Sequence, residues 1–240
     1  MIPKTIHYCW FGGNPLPKSA IKCIDSWKKF FPDYEIKEWN ESNFDVNMIP
    51  YTKEAYAAKK YAFVSDFARF WILHEHGGLY FDTDVEVIRS MDDIIETGSF
   101  MGAETPKNVA PGLGLATTPN HPFYKRYVEY YSDKHFTPEQ PTMCRVVTDW
   151  WIEQGWKTDC TIQTIAGITI YPPDYFCPQA MMGAPIHITE NTRSIHHFDA
   201  TWFPWWKRIR VLITSKLKHL SKITHTTSNK SPINQSSRRK

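Results

Sequence analysis

The first forty residues alternate between strand and helix patterns in an order that few folds accommodate. Thr5 to Trp10 is an apolar run typical of a buried strand, and Pro17 precedes a segment with apolar residues at helical spacing. Pro32 ends that segment, and Tyr34 to Trp39 has the pattern of a second strand. A strand, helix and strand in succession imply parallel strands joined by a right-handed crossover. The opening therefore predicts an α/β fold.

A third strand pattern, Leu79 to Val87, carries two carboxylates two residues apart. Because residues i and i+2 of a strand face the same way, Asp82 and Asp84 are expected on one side. Neighbouring carboxylate oxygens suit Mg²⁺ or Mn²⁺, ions that neutralise a diphosphate. The pattern therefore predicts half of a divalent-metal site in a protein that handles nucleotide diphosphates.

The same alternation of apolar and polar residues also describes an ordinary strand with one solvent-facing side. Two features favour the metal site. Strand interiors are depleted in Asp, and the preceding Gly77 and Gly78 free the backbone where a ligand would approach.

A long helical pattern from Ala55 to His76 leads directly into this strand, and Gly77 is well placed to end the helix. Asp66 and Arg69 lie three positions apart on one helix face. One interpretation is a routine ion pair worth about 0.3 kcal/mol. Their position beside the carboxylate strand favours a role in ligand binding instead.

Residues 65–69 read Ser-Asp-Phe-Ala-Arg, and residues 77–84 read Gly-Gly-Leu-Tyr-Phe-Asp-Thr-Asp. Together they resemble the S-D-x-x-R…G-G-x-Y-x-D-x-D block of glycosyltransferase family 32, which is similar to a block in the clostridial glucosylating toxins. The resemblance covers roughly residues 1–204. It implies a single α/β domain of the nucleotide-sugar transferase type A (Rossmann-like) with a mixed central sheet.

Residues 194–202 resemble the C-terminal I-H-H-x-x-x-S-W segment of the same family, with Thr201 in place of the usual serine. A neutral imidazole can complete a Mn²⁺ site begun by two carboxylates, and a hydroxyl can reach metal or phosphate. Adjacent strand residues face opposite ways, so only one of the two histidines can reach the ion. We expect His196 to do so in preference to His197.

The resemblance implies a role for each matching residue. Asp66 would bind sugar hydroxyls, Arg69 would bind the donor by charge, and Trp10 would stack on the base or belong to the core. The metal ligands would be Asp82, Asp84, His196 and His197, the catalytic residues Asp82, Asp84 and Arg69, and the donor-binding residues Trp10, Ser65, Asp66, Arg69, Gly78, Tyr80, Thr201 and Trp202. The Gly112 to Gly114 segment is interpreted as a loop near the acceptor.

Acidic and basic residues are distributed unevenly between residues 1–206 and the C-terminal tail. Its net charge of +3 includes ten Lys or Arg and no Asp or Glu after Trp206, so residues 1–206 carry 18 basic and 25 acidic side chains, a net of −7. A nucleic-acid-binding body should carry its own positive face. We therefore expect no nucleic-acid partner.

The basic tail has its own pattern. Residues 205–223 combine paired Trp, Lys and Arg with an apolar set that predicts an amphipathic helix lying on an anionic membrane surface. A helix packed on the domain is the alternative, and residues 224–240 are expected to be disordered. The odd number of cysteines, five, and an N-terminus without an apolar signal predict a cytoplasmic protein, peripheral on the cytoplasmic face of the membrane.

These features together predict a metal-dependent retaining glycosyltransferase of the hexosyltransferase type, with residues 1–204 as its catalytic domain. It would use Mn²⁺ or Mg²⁺ and move a sugar from a UDP-sugar donor to a glycan or lipid-linked acceptor, in the synthesis of surface polysaccharide such as capsule. Two alternatives remain: a metal-dependent nucleotide-diphosphate hydrolase, and a catalytically silent membrane-surface protein.

Overall fold

A mixed β-sheet forms the centre of the protein, in a computed structural model that describes residues 1–179 and 181–199. Its strand order is β2-β1-β3-β7-β5-β9-β8, with β6 paired to β5. The β1/β2, β1/β3 and β5/β9 pairs are parallel and the others are antiparallel. The strands are β1 (Thr5–Cys9), β2 (Glu35–Trp39), β3 (Gly78–Tyr80), β4 (Val85–Val87), β5 (Phe100–Thr105), β6 (Asn108–Val109), β7 (Leu115–Thr117), β8 (Gln163–Ile165), β9 (Ile168–Tyr171) and β10 (Ser194–His196). The predicted α/β fold with a mixed sheet is confirmed.

Helices cover both faces of this sheet. They are α1 (Lys18–Phe30), α2 (Pro50–Ala57), α3 (Tyr61–His76), α4 (Asp92–Glu96), α5 (Pro122–Tyr131), α6 (Met143–Glu153) and α7 (Pro173–Phe176). Consecutive strand residues point to opposite faces, and Leu79 and Tyr80 accordingly belong to two different hydrophobic clusters. One cluster includes buried residues of α3, α5 and α6, and the other includes buried residues of α1, α4 and α7.

The predicted opening unit is present. β1 and β2 are parallel, with Thr5 opposite Glu35, and α1 connects them. Trp27 of α1 is fully buried, and its indole N–H donates to the carbonyl oxygen of Val85 at 2.8 Å. This bond ties the first helix to the segment that follows the two carboxylates.

The continuous strand expected over Leu79 to Val87 is wrong. β3 ends at Tyr80 and β4 begins at Val85, and the N–H of Val85 closes a turn by donating to the carbonyl of Asp82 at 3.0 Å. The break arises because β3 pairs within the central sheet, whereas β4 pairs with β10 in a separate two-stranded sheet. The two carboxylates therefore lie in a turn and not on one strand face.

The single helix expected from Ala55 to His76 is also wrong, since α2 and α3 are separate helices. Lys59 lies between them with φ of 56°. The N–H of Lys60 donates to the carbonyl of Ala55 at 2.8 Å, which closes the end of α2. A residue in the left-handed conformation ends a helix in this way. Helix propensity alone does not predict the position of such a residue.

Packing requires the two glycines at the start of β3. Gly77 ends α3 as predicted, with φ of 65°. A Cβ on Gly78 would lie 2.6 Å from the carbonyl oxygen of Thr5. Gly77 precedes β3 and Gly78 begins it, whereas Asp82 follows its other end, so the interpretation that they free the backbone for a ligand is wrong.

His7 links three elements at this end of the sheet. Its Nδ1 accepts a hydrogen bond from Trp39 Nε1 at 3.0 Å, so its Nε2 carries the proton and donates to the Gly77 carbonyl at 3.1 Å. The ring is buried, and burial lowers the pKa of His7 from 6.5 to about 4. His7 is therefore a neutral structural residue.

The described residues contain no helix that is both long enough and apolar enough to cross a bilayer. Thr201, Trp202, the predicted amphipathic helix 205–223 and the predicted disordered end 224–240 lie outside the residues that the structure describes.

The burial of neutral His7 predicts how stability depends on pH. Because the pKa of His7 falls from 6.5 when unfolded to about 4 when folded, its contribution is complete above pH 6.5 and is lost as the pH falls toward 4. His7 alone should account for a loss of up to about 3 kcal/mol in the free energy of unfolding. Urea denaturation between about pH 7.5 and pH 4.5 measures it. His7→Gln should have a shallower dependence than the original protein, and equal slopes would contradict this explanation.

Candidate active site

Arg69 is the centre of a buried ion network beside the end of β3. Its guanidinium contacts Asp66 Oδ1 at 3.1 Å and both carboxylate oxygens of Asp82 at 3.1 and 3.3 Å. Its Nε donates to the carbonyl of Ser65 at 3.1 Å, and its carbon lies 5.0 Å from the ring centre of Tyr80. Only 5% of the Arg69 side chain is exposed. The predicted ion pair with Asp66 therefore exists, but it is buried and shared with Asp82.

Asp82 and Asp66 remain partly open to solvent, with 31% and 20% of their side chains exposed. The hydroxyl of Tyr80 donates to Asp82 Oδ1 at 3.1 Å, which further fixes that carboxylate. Burial raises the pKa of Asp66 to about 6, although Arg69 opposes the change. The network thus presents two oriented carboxyl groups to the edge of the sheet.

A glycine makes room for this arrangement. The carbonyl of Gly112 accepts the N–H of Asp82 at 2.9 Å, and a Cβ on Gly112 would lie 1.8 Å from Asp82 Oδ2 and 3.1 Å from Arg69 Nη1. The segment interpreted from sequence as an acceptor loop therefore packs directly against the carboxylate turn.

Asp84 faces a different partner. β10 pairs antiparallel with β4 and sets His196 opposite Val85, which brings His196 Nε2 within 3.4 Å of Asp84 Oδ2. The N–H of Asp199 donates to the same oxygen at 2.9 Å. His197 diverges, and its Nε2 lies 2.8 Å from Glu86 Oε2. Of the two adjacent histidines, the structure brings His196 to Asp84.

The two groups stabilise each other's charge. Burial alone would lower the pKa of His196, but the Asp84 carboxylate raises it to about 10. Burial would likewise raise the pKa of Asp84, but His196 and the backbone N–H of Asp199 keep it below its ordinary value. Asp84 and His196 are therefore an ion pair when no metal is bound.

Asp84 and His196 fit a divalent cation. They offer an oxygen and a nitrogen donor side by side, and the buried Nδ1 of His196 has no hydrogen-bond partner among the described residues. No group of three or more His, Cys, Asp or Glu suited to a metal occurs in residues 1–179 and 181–199. Other ligands would have to come from a substrate or water, and metal binding would release the proton of His196.

The other residues predicted to bind the sugar donor lie in different surroundings. Trp10 follows β1 at the same edge, half-buried, with its indole N–H donating to the carbonyl of Asn14 at 2.6 Å. The Ser65 hydroxyl donates within its own helix to Tyr61, and Tyr80 is buried beneath Arg69. Gly78 lies at the far end of β3 against Thr5, so packing explains it better than donor binding does.

Two residues near the site were not predicted from sequence. Glu104 lies near the end of β5; burial raises the pKa of its carboxyl group and the charge of His196 opposes the change. Cys144 lies in the first turn of α6, and burial, reinforced by Asp66 and Glu104, raises its pKa to about 12. The sequence did contain a signal for Glu104. It is a carboxylate near the end of an apolar strand, and ligands bind at that edge of such sheets.

Part of the chain is similar to known glycosyltransferases. Residues 17–101 match the family model described as a glycosyltransferase sugar-binding region containing a DXD motif. An uncharacterized glycosyltransferase of Acanthamoeba polyphaga mimivirus is 31% identical over 137 residues, which are 52% of this chain and 53% of that protein. A mannosyl phosphorylinositol ceramide synthase of Saccharomyces cerevisiae is 27% identical over 144 residues, 57% of this chain and 36% of that protein. The chain thus spans about a third to a half of these relatives.

The fold has a counterpart among solved structures. A glycosyltransferase involved in the glycosylation of the major capsid of PBCV-1 superposes with a TM-score of 0.50, at 12% identity, over 88% of this chain and 99% of that one. The architecture is therefore that of the type A glycosyltransferases. The resemblance seen in the sequence is confirmed, since residues 17–101 match the glycosyltransferase sugar-binding region that contains a DXD motif.

Gly112 provides a direct test of the carboxylate turn. In Gly112→Ala the new methyl would overlap Asp82 Oδ2, so we expect a loss of about 1 to 3 kcal/mol in the free energy of unfolding. Gly114→Ala is the matched control, because its Cβ would meet ring carbons of Phe81, at 3.2 Å or more, and of Phe100, at 3.7 Å, and no carboxylate. Urea denaturation of both variants measures the difference, and equal effects would show that Gly112 is not specifically required beside Asp82.

Proposed function

We propose that this protein is a metal-dependent retaining hexosyltransferase. It moves a sugar from a nucleotide-diphosphate donor, with a UDP-sugar as the first candidate, to a glycan or lipid-linked acceptor. The observation that carries the proposal is the pairing of Asp84 with His196 beside the Arg69 and Asp82 network. Arg69, Asp82 and Asp84 lie within residues 17–101, which match the glycosyltransferase sugar-binding region with a DXD motif, and His196 lies outside that match.

The geometry suggests a division of labour between the two DXD carboxylates. Asp84 and His196 would hold Mn²⁺ or Mg²⁺, which when bound stabilises the departing nucleotide as a Lewis acid. Asp82 has both oxygens on Arg69, and Oδ1 also accepts from the Tyr80 hydroxyl, so Oδ2 is the oxygen that keeps a lone pair for a hydroxyl of the donor. We therefore propose Asp84 as the principal carboxylate ligand and Asp82 as a donor-orienting group.

The other side chains would orient the donor. Arg69 uses its Nε, Nη1 and Nη2 atoms on Ser65, Asp66 and Asp82, so its contribution would be to hold Asp82 and Asp66 in fixed directions. With a pKa of about 6, Asp66 is mostly ionised at neutral pH and can accept sugar hydroxyls. Trp10 lies at the same edge, where it would stack on the base. Retention of configuration follows family precedent, and no nucleophile is assigned.

The named relatives narrow the first donors and acceptors to test. One of them is named as a mannosyl phosphorylinositol ceramide synthase, which favours mannose among the hexoses and a lipid-linked acceptor. A role in surface polysaccharide such as capsule is a second possibility within the same reaction class. The proposed location is the cytoplasmic face of a membrane, supported by the basic, apolar pattern of residues 205–223.

The decisive experiment is an incubation of the full chain with a panel of UDP- and GDP-sugars, with and without Mn²⁺, and with glycan and lipid-linked acceptors. Acceptor-dependent, metal-dependent turnover is the expected result. Donor cleavage that no acceptor accelerates would favour a nucleotide-diphosphate hydrolase, and no turnover with any donor would contradict the proposal.

Asp84→Ala should abolish transfer while leaving the fold intact. If the metal contributes about 3 to 5 kcal/mol to the transition state, loss of its ligand should lower the rate by about 10² to 10⁴. Asp25→Ala is a suitable control, because Asp25 is exposed on α1 and pairs only with Lys28 at 2.8 Å. Near-normal turnover in folded Asp84→Ala protein would refute the metal-site assignment.

Truncation after Pro204 tests the proposed membrane contact. Several Lys and Arg near an anionic leaflet, at about 1 kcal/mol each, should give salt-sensitive binding. The full chain should therefore co-sediment with anionic vesicles and the truncated chain should not, while turnover on a soluble acceptor analogue is retained. Equal co-sedimentation of both chains would show that the tail is not the membrane contact.

A further inference from the structure

A recess separate from the candidate active site lies between the end of α5 and the start of α6. Its volume is about 310 Å³, and it is open to solvent. The residues that line it and matter for its chemistry are Tyr130, Tyr131, Lys134, Gln140 and Pro141. None of them belongs to the Arg69 or Asp84 groups described above.

The walls of this recess, hereafter the α5/α6 cleft, combine aromatic and polar groups. Tyr130 is 37% exposed, and its ring packs edge-on against Trp150 with 5.2 Å between ring centroids. The ammonium of Lys134 lies 4.0 Å from the centre of the Tyr130 ring and forms no ion pair with any described carboxylate. An exposed, rigidly backed ring beside hydrogen-bond donors suits a sugar, which has an apolar C–H face and a rim of hydroxyls.

The floor of the α5/α6 cleft packs against α2 and against α3, the helix that carries Asp66. Tyr131 is buried and packs against Tyr51 at 4.7 Å between ring centroids. The Gln140 amide donates to the Tyr51 hydroxyl at 2.7 Å. Phe67, the residue that follows Asp66 on α3, lies 6.4 Å from Tyr131 between ring centroids.

The segment that borders the cleft also reaches the active site. Gln140 and Pro141 line the cleft, and four residues after Gln140 the thiol of Cys144 lies within the fields of Asp66, Arg69 and Asp82. A ligand seated on Tyr130 would thus be separated from Asp66 by Tyr131 and by the turn of α3 that carries Phe67. An acceptor of several saccharide units could keep its reacting end at the donor and a more distant unit in the cleft.

We propose that the α5/α6 cleft is an acceptor subsite that binds a saccharide unit, with Tyr130 as the stacking surface and Lys134 and Gln140 as polar contacts. This assignment rests on the proposed function, because an acceptor subsite exists only in a protein that transfers a sugar. The binding of a saccharide at the cleft is nevertheless measurable without any turnover.

The test uses the full chain and three methyl glycosides, those of mannose, glucose and galactose, with binding followed by saturation-transfer NMR. At least one glycoside should bind the original protein. Tyr130→Ala should weaken that binding about tenfold, because the stacking surface is lost, whereas Tyr130→Phe should bind nearly as the original does. Lys134→Ala should weaken binding, and Lys125→Ala is its matched control, since Lys125 also lies on α5 but pairs with Glu129 at 3.7 Å.

Several outcomes would overturn the proposal. They are the absence of binding by all three glycosides, binding that Tyr130→Ala leaves unchanged, and equal effects of Lys134→Ala and Lys125→Ala. The proposed function would fail in a different way. No nucleotide-sugar would then be turned over, whether or not the glycosides bind. Binding that depends on Tyr130 together with acceptor-dependent turnover would support both.

Discussion

The contact of Arg69 with Asp66 and Asp82 is the interaction on which the rest of the site depends. It joins α3 to the turn after β3 through a cation that is almost fully buried. Removing one partner of such a group leaves an uncompensated buried charge, which typically costs about 3 to 5 kcal/mol. The three side chains therefore fix one another's positions, and ligand-binding groups that are fixed before binding lose less entropy when a ligand arrives.

The turn between β3 and β4 gives the two DXD carboxylates separate partners. On a single strand, Asp82 and Asp84 would have faced one ligand together. In the turn, Asp82 is directed to Arg69, while Asp84 is directed to His196 on β10, a strand more than a hundred residues further along the chain. One motif can thereby contribute both an orienting group and a metal ligand.

The sheet edge explains how residues from distant parts of the sequence meet. β1 and β3 run parallel, so Trp10 and Asp82 follow their carboxyl ends at the same edge. β5 is antiparallel to β7, which is antiparallel to β3, and Glu104 is consequently brought to that edge as well. Open α/β sheets bind ligands there because the loops after several strands converge at one place.

The sequence by itself indicated the β-α-β opening and the Asp82 and Asp84 motif, and it favoured His196 over His197 as the histidine near that motif. Local periodicity and residue chemistry carry that information, because they depend on a few adjacent residues. Only the tertiary structure decided that the motif is a turn, that Gly77 and Gly78 serve packing, and that Arg69 is occupied by Asp82. These facts depend on which strand pairs with which and on the close approach of Thr5, Gly112 and β10, contacts between residues far apart in the chain that no local pattern encodes.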